Sequence, residues 1–155
     1  MAQVPLELRV SLREGSIFYF EERKLTSAQS HFHIVANADP LAQQVLILTV
    51  VTSKVDKVKY FRRDRPDTLV ELSPRDLPKI LTKPSIVDCK SGDTCVARRI
   101  LCDRWRRKEI AAFAQDVPVA LRRAIRRAIH ASDILTDEVK VLVAPPEASL
   151  PRQIR

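Results

Sequence analysis

The sequence predicts an α+β protein: a strand-rich front half forming a compact sheet or small β-barrel, followed by C-terminal amphipathic helices. Three observations predict it. Short alternating or β-branched runs recur up to residue 101, and beyond that the apolar period becomes helical. The excess positive charge sits in the helical part. Between Arg98 and His130 there are ten basic residues against three acids, whereas the rest of the chain has 17 against 16.

The elements follow in order. Over residues 6–12, Leu6, Leu8, Val10 and Leu12 alternate with Glu7, Arg9 and Ser11, the signature of a half-buried strand. Gly15 precedes a strand over 17–20, and the polar stretch 21–30 reads as a loop. A strand over 31–36 ends at the turn signal Asn37-Ala-Asp-Pro. The unbroken β-branched run 45–51 marks a strand buried on both faces. Two further strands are expected at 57–61 and 68–72, around a charged loop. Pro74, Pro78 and Pro84 exclude a long helix before residue 85. Residues 85–88 and 94–101 flank Lys90-Ser-Gly-Asp and read as a hairpin.

The back half then reads as a helix over 103–115, with Trp105, Ile110 and Phe113 as core candidates, and a second helix opened by Pro118. In the second helix Leu121, Ala124, Ile125, Ala128 and Ile129 form an apolar stripe, with Arg122, Arg123, Arg126 and Arg127 opposite. Ser132 and Asp133 end it, and 139–143 reads as a last strand. At 155 residues the chain fits one domain. That domain is read as 1–143, with the strand-rich part at 1–101, the helical basic part at 102–135 and a loose tail from 144.

Several classes drop out. The longest apolar run, 45–51, is far short of the roughly 20 residues of a membrane span. The N-terminus lacks a basic-then-apolar export pattern, so a cytoplasmic protein without membrane contact is expected. Cys89, Cys95 and Cys102 are odd in number and include no CxxC pair, which suits reduced thiols in or near a core. Zinc would need a ligand from elsewhere, such as His31 or His33, and neither metal nor cofactor is expected. With only Gly15 and Gly92, no glycine-rich phosphate loop exists, and no Walker, Rossmann, HExxH or Gly-x-Ser-x-Gly motif occurs.

Two short motifs carry chemistry. His31 and His33 fall on one face of a strand, where paired imidazoles serve as base and acid near neutral pH. That pair suits RNA cleavage by its own 2′-hydroxyl; the plainer reading is two surface histidines. Thr52-Ser53-Lys54 leaves the buried strand with two hydroxyls and an ammonium, groups that hold a phosphate or simply solvate a strand exit. His31, His33, Thr52 and Ser53 are thus the catalytic candidates. Lys54 and the back-half arginines Arg98, Arg99, Arg104, Arg106, Arg107, Arg122, Arg123, Arg126 and Arg127 are candidates for RNA binding. A charged helix face also serves as mere solvated surface.

Five segments, in order, resemble the PemK/MazF-like toxins over roughly residues 15–115. They are Gly15-Ser-Ile-Phe-Tyr-Phe, His31-Phe-His-Ile-Val-Ala-Asn, Val50-Val-Thr-Ser-Lys, Pro84-Ser-Ile-Val-Asp and a closing helix. The resemblance implies an SH3-like barrel, often a homodimer, that cleaves single-stranded RNA without a metal and is restrained by an acidic antitoxin. By position Thr52 matches the family's functional Thr, whereas His31 stands where the family has an Arg. The expectation is therefore an endoribonuclease toxin. The alternatives are a non-catalytic relative that binds nucleic acid or antitoxin, or a protein whose basic face meets an acidic partner.

Overall fold

The computed structural model describes residues 3–21, 30–90, 95–113, 115 and 117–148. In chain order the elements are α1 (Leu6–Ser11), β1 (Ile17–Glu21), β2 (Ser30–Val35), β3 (Val45–Thr52), α2 (Val55–Phe61), β4 (Leu69–Leu72), β5 (Ser85–Asp88), β6 (Cys95–Ala97), α3 (Arg98–Arg106), β7 (Ala111–Phe113), α4 (Val119–Ala131) and α5 (Asp137–Lys140). The fold is α+β. Seven strands among the described residues form one antiparallel sheet in the order β4-β5-β3-β2-β1-β7, with β6 added to β3. Among the described residues no pairing joins the edges β4 and β7, so the sheet is open rather than a closed barrel.

β3 is the spine. Its β-branched run pairs with β2 along one edge; along the other it meets β6 with its first half and β5 with its last. Each face of the sheet has its own core, as strand alternation requires. Ile17, Ile34, Ile47, Val51 and Val87 pack beneath the α4 stripe of Leu121, Ile125, Ala128 and Ile129. Phe18, Phe20, Val35, Leu46 and Leu48 pack with Leu8 and Leu12 of the α1 region and Leu101 of α3. The turn after β2 is fixed by buried Asn37, whose Nδ2 donates to Val45 O at 2.8 Å and whose Oδ1 accepts from Ile47 N at 2.6 Å. Cys89 and Cys102 are buried thiols, and burial pushes both up in pKa.

Five segments depart from the sequence expectation. Residues 6–12 are largely helical: Leu8 and Leu12 are buried while Leu6 and Val10 are exposed. A period-two set contains i,i+4 pairs, and the helix buries one of them. Likewise 139–143 is not a strand, because α5 and its following turn bury Val143 and expose Val141. Residues 57–61 belong to α2, an exposed helix lying on β5 with no buried residue of its own. Within 94–101, β6 pairs with β3 instead of β5 and α3 follows at once. The expected helix over 103–115 stops at Arg106, because Lys108 adopts a left-handed φ of 58°. The chain then forms β7, and Phe113 projects from that edge strand rather than into the core. The strands at 17–20, 31–36, 45–51, 68–72 and 85–88 and the helix after Pro118 stand within a residue or so of expectation. Most of the loop at 21–30 and of the turn at 90–93 lies outside the described residues.

Candidate functional site

The end of β3 opens into a cavity of about 230 Å³. Thr52 is the last β3 residue, opposite Ile86 of β5, and Val51 is opposite Phe32 of β2. The β2–β3 pairing ends there, and residues 80–83 of the proline-bearing segment between β4 and β5 line the opening. Leu77 and Leu81 anchor that segment in the core, which brings Thr82 and Lys83 to the rim. The lining thus combines Thr52, Ser53, Thr82 and Ser85, the cations Lys54 and Lys83, His31, and the rings of Tyr19 and Phe32. Lys54 and Lys83 are exposed, as are Ser53 and Thr82. Thr52 Oγ1 accepts from the Lys54 amide at 3.2 Å, which ties the strand exit into a turn.

Four residues singled out in the sequence therefore share one pocket: His31, Thr52, Ser53 and Lys54. His33 does not join them. Both histidines do lie on one face of β2, but that face covers a core. His33 pairs with Phe18, stacks on Phe20 with ring centroids 4.0 Å apart, and is 2% exposed. Burial lowers its pKa to about 4 against the opposing pull of the His31 carbonyl, and the charges of His31 and Arg104 lower it further. Its Nδ1 lies 3.0 Å from His31 O, a contact that requires the Nδ1–H tautomer; Nε2 has no partner among the described residues. A neutral, enclosed imidazole cannot serve as acid or base in the pocket.

The back-half arginines do not converge on the cavity either. Arg126 is corrected outright: it is 2% exposed and its guanidinium takes both oxygens of Glu14 at 2.9 Å, inside the fold. Its remaining NH group donates to the Pro145 and Ala148 carbonyls, so residues 145–148 are fastened rather than loose. Arg98 donates to the Pro40, Leu41 and Gln43 carbonyls and clasps the β2–β3 turn. Arg104 lies over Phe20 at 5.6 Å, Arg106 pairs with Asp103 and Arg107 with Glu109. Arg122 is half-buried against Gly15; Arg99, Arg123 and Arg127 are exposed and, unlike the exposed Arg106 and Arg107, form no ion pair among the described residues.

Sequence reasoning missed the aromatic wall. Tyr19 and Phe32 lie 4.7 Å apart across β1 and β2, and Phe113 of β7 meets Phe32 edge-on at 5.3 Å. Only the sheet order brings the three together. Lys83 was equally hard to foresee, since the fold of the proline-bearing segment decides its position. Among the described residues no group of three or more His, Cys, Asp or Glu side chains could hold a metal ion, and no helix is long and apolar enough to cross a membrane. No protein-family model matches the chain, and no curated protein does.

Proposed function

We propose that this protein is an endoribonuclease of toxin type that takes single-stranded RNA into the pocket at the end of β3. One observation carries the reading: hydroxyls, two lysines and a histidine share that pocket with an aromatic ring pair. Lysines attract the phosphates, hydroxyls hydrogen-bond their oxygens, and rings stack bases splayed from a single strand. The resemblance in segment order to the PemK/MazF-like toxins supports the same reading, with the open sheet as a variant of their SH3-like barrel.

The chemistry assigned here is attack of a ribose 2′-hydroxyl on the adjacent phosphorus. A 2′-O–P bond forms, the P–O5′ bond breaks, and a cyclic phosphate and a 5′-hydroxyl result. His31 takes the 2′-hydroxyl proton. Lys54 or Lys83 balances the charge gathering on the phosphate and supplies the proton to the leaving oxygen. No step draws on a bound metal or other cofactor. An acidic antitoxin laid over the same lysines would silence the site, and a homodimer would double it. A cytoplasmic location gives access to RNA.

The second reading is a relative on the same scaffold that binds RNA without cutting it. The burial of His33 favours it, because the expected acid/base pair does not assemble. Incubating the protein and its His31→Ala variant with mixed-sequence single-stranded RNA in EDTA separates the two. Discrete fragments from the parent and none from the variant support the nuclease; retention of intact RNA by both supports the binder. Neither cutting nor retention by a folded protein overturns both.

A further inference from the structure

We infer that α2 is a second base-stacking platform, which receives the RNA strand as it leaves the pocket. The inference rests on the pocket being an RNA site and names where the strand goes next. α2 begins one residue after Lys54, which lines the cavity. It buries none of its residues, yet carries two adjacent rings, Tyr60 and Phe61, that are 63% and 61% exposed. Large apolar rings left this open on a short helix serve no core, so the fold itself gives no reason for them.

Their setting is cationic. The guanidinium of Arg63 sits 4.4 Å from the Tyr60 ring centre, Lys57 Nζ lies 5.9 Å from that of Phe61, and the two rings meet edge to face at 6.0 Å. Lys59 and Arg62 are committed to Glu71 and Asp88, whereas Lys57 and Arg63 form no ion pair among the described residues. Exposed rings, each with a cation at its face, match a single strand, whose bases stack while its phosphates meet the charges. An acidic peptide would engage the same cations and pack on apolar bulk, whereas a base requires the π face itself. Tyr60 lies about 9 Å along the helix from Lys54, so one strand spans pocket and platform in a few nucleotides.

The test is fluorescence-anisotropy binding of two RNAs, one of about 2 nucleotides that stays within the pocket and one of about 12 that reaches α2. The Tyr60→Ala/Phe61→Ala protein is expected to bind the longer RNA about tenfold or more weakly and the shorter one as the parent does. Tyr60→Leu/Phe61→Leu keeps apolar bulk without a π face and is expected to lose as much. Full retention by the leucine protein would overturn stacking, as would an unchanged affinity of the alanine protein for the longer RNA. In both cases the pocket reading stands if the parent binds the short RNA. A parent that binds neither RNA overturns pocket and platform together. A patch that instead joins two copies of the chain would show as a loss of dimer in the alanine protein with RNA affinity unchanged, and that also overturns the platform.

Discussion

Arg126 and Glu14, 112 residues apart in sequence, form a bidentate ion pair inside the protein, with both Glu14 oxygens 2.9 Å from one guanidinium nitrogen. The pair fixes the α1–β1 connection, α4 and residues 145–148 to one another, because Arg126 also donates to Pro145 and Ala148. Removing one partner strands a buried charge. Glu14→Ala is expected to lower the unfolding free energy in urea by roughly 3–5 kcal/mol, and Glu14→Leu/Arg126→Met to restore most of the loss. Equal losses in the two proteins would mean that packing, not the stranded charge, sets the cost.

His33 makes stability depend on pH. Its folded pKa of about 4 lies below the usual 6.5, so the unfolded chain takes up a proton in a range where the folded one does not. The contribution is complete above pH 6.5 and drains away as pH falls towards 4, by about 3 kcal/mol in all. His33→Phe keeps a ring on Phe20 and removes the proton site. Urea unfolding of the variant at pH 7, 5.5 and 4 should show a shallower fall than the parent. Parallel curves would relocate the acid sensitivity to other groups.

Lys54 and Lys83 line the pocket rim, and under the proposed reading they supply the electrostatic part of RNA binding. Each phosphate contact on a single strand contributes about 0.7 to the slope of log affinity against log salt. Lys54→Ala/Lys83→Ala should therefore flatten that slope by about 1.4, measured by anisotropy over a salt series. A slope that stays put would place the phosphates elsewhere, with Arg99, Arg123 and Arg127 the next cations to test.

Gly15 holds φ at +86° where the α1 segment turns into β1, and a Cβ there would meet Arg122 Cδ at 3.0 Å. The side chain of Arg122 can shift, but the backbone cannot escape the left-handed region. Gly15→Ala should lose about 1–2 kcal/mol in the same urea assay. Loss of less than a few tenths would show that the turn relaxes to a negative φ.

The reach of sequence reasoning follows from what each pattern encodes. The run through Val45 and Val51 is marked as a strand by its β-branching and short length, the stripe from Leu121 to Ile129 fits a helix alone, and both stand. The alternations around Leu8 and Val141 fit two, since period two and i,i+4 share positions, and tertiary burial chose the helical option. The β2 triplet revealed that His31 and His33 share a face, but not that the face lies over Phe18 and Phe20. Composition placed positive charge in the back half without distinguishing Arg126, which serves the core, from Arg123, which faces solvent. Thr52, Ser53 and Lys54 were legible because a strand exit is a local event; Lys83 and Phe113 reach the site region through long-range topology.

The divided edge of β3 has a consequence for biosynthesis. One side of that strand is satisfied early by β2, but the other takes its partners from residues 86–88 and 95–97. On the ribosome, the most apolar strand of the protein therefore waits with a bare hydrogen-bonding edge while some forty further residues are made. A nascent chain released in that interval would offer neighbouring chains the same edge that β5 and β6 later occupy, and completion of synthesis is what removes the hazard.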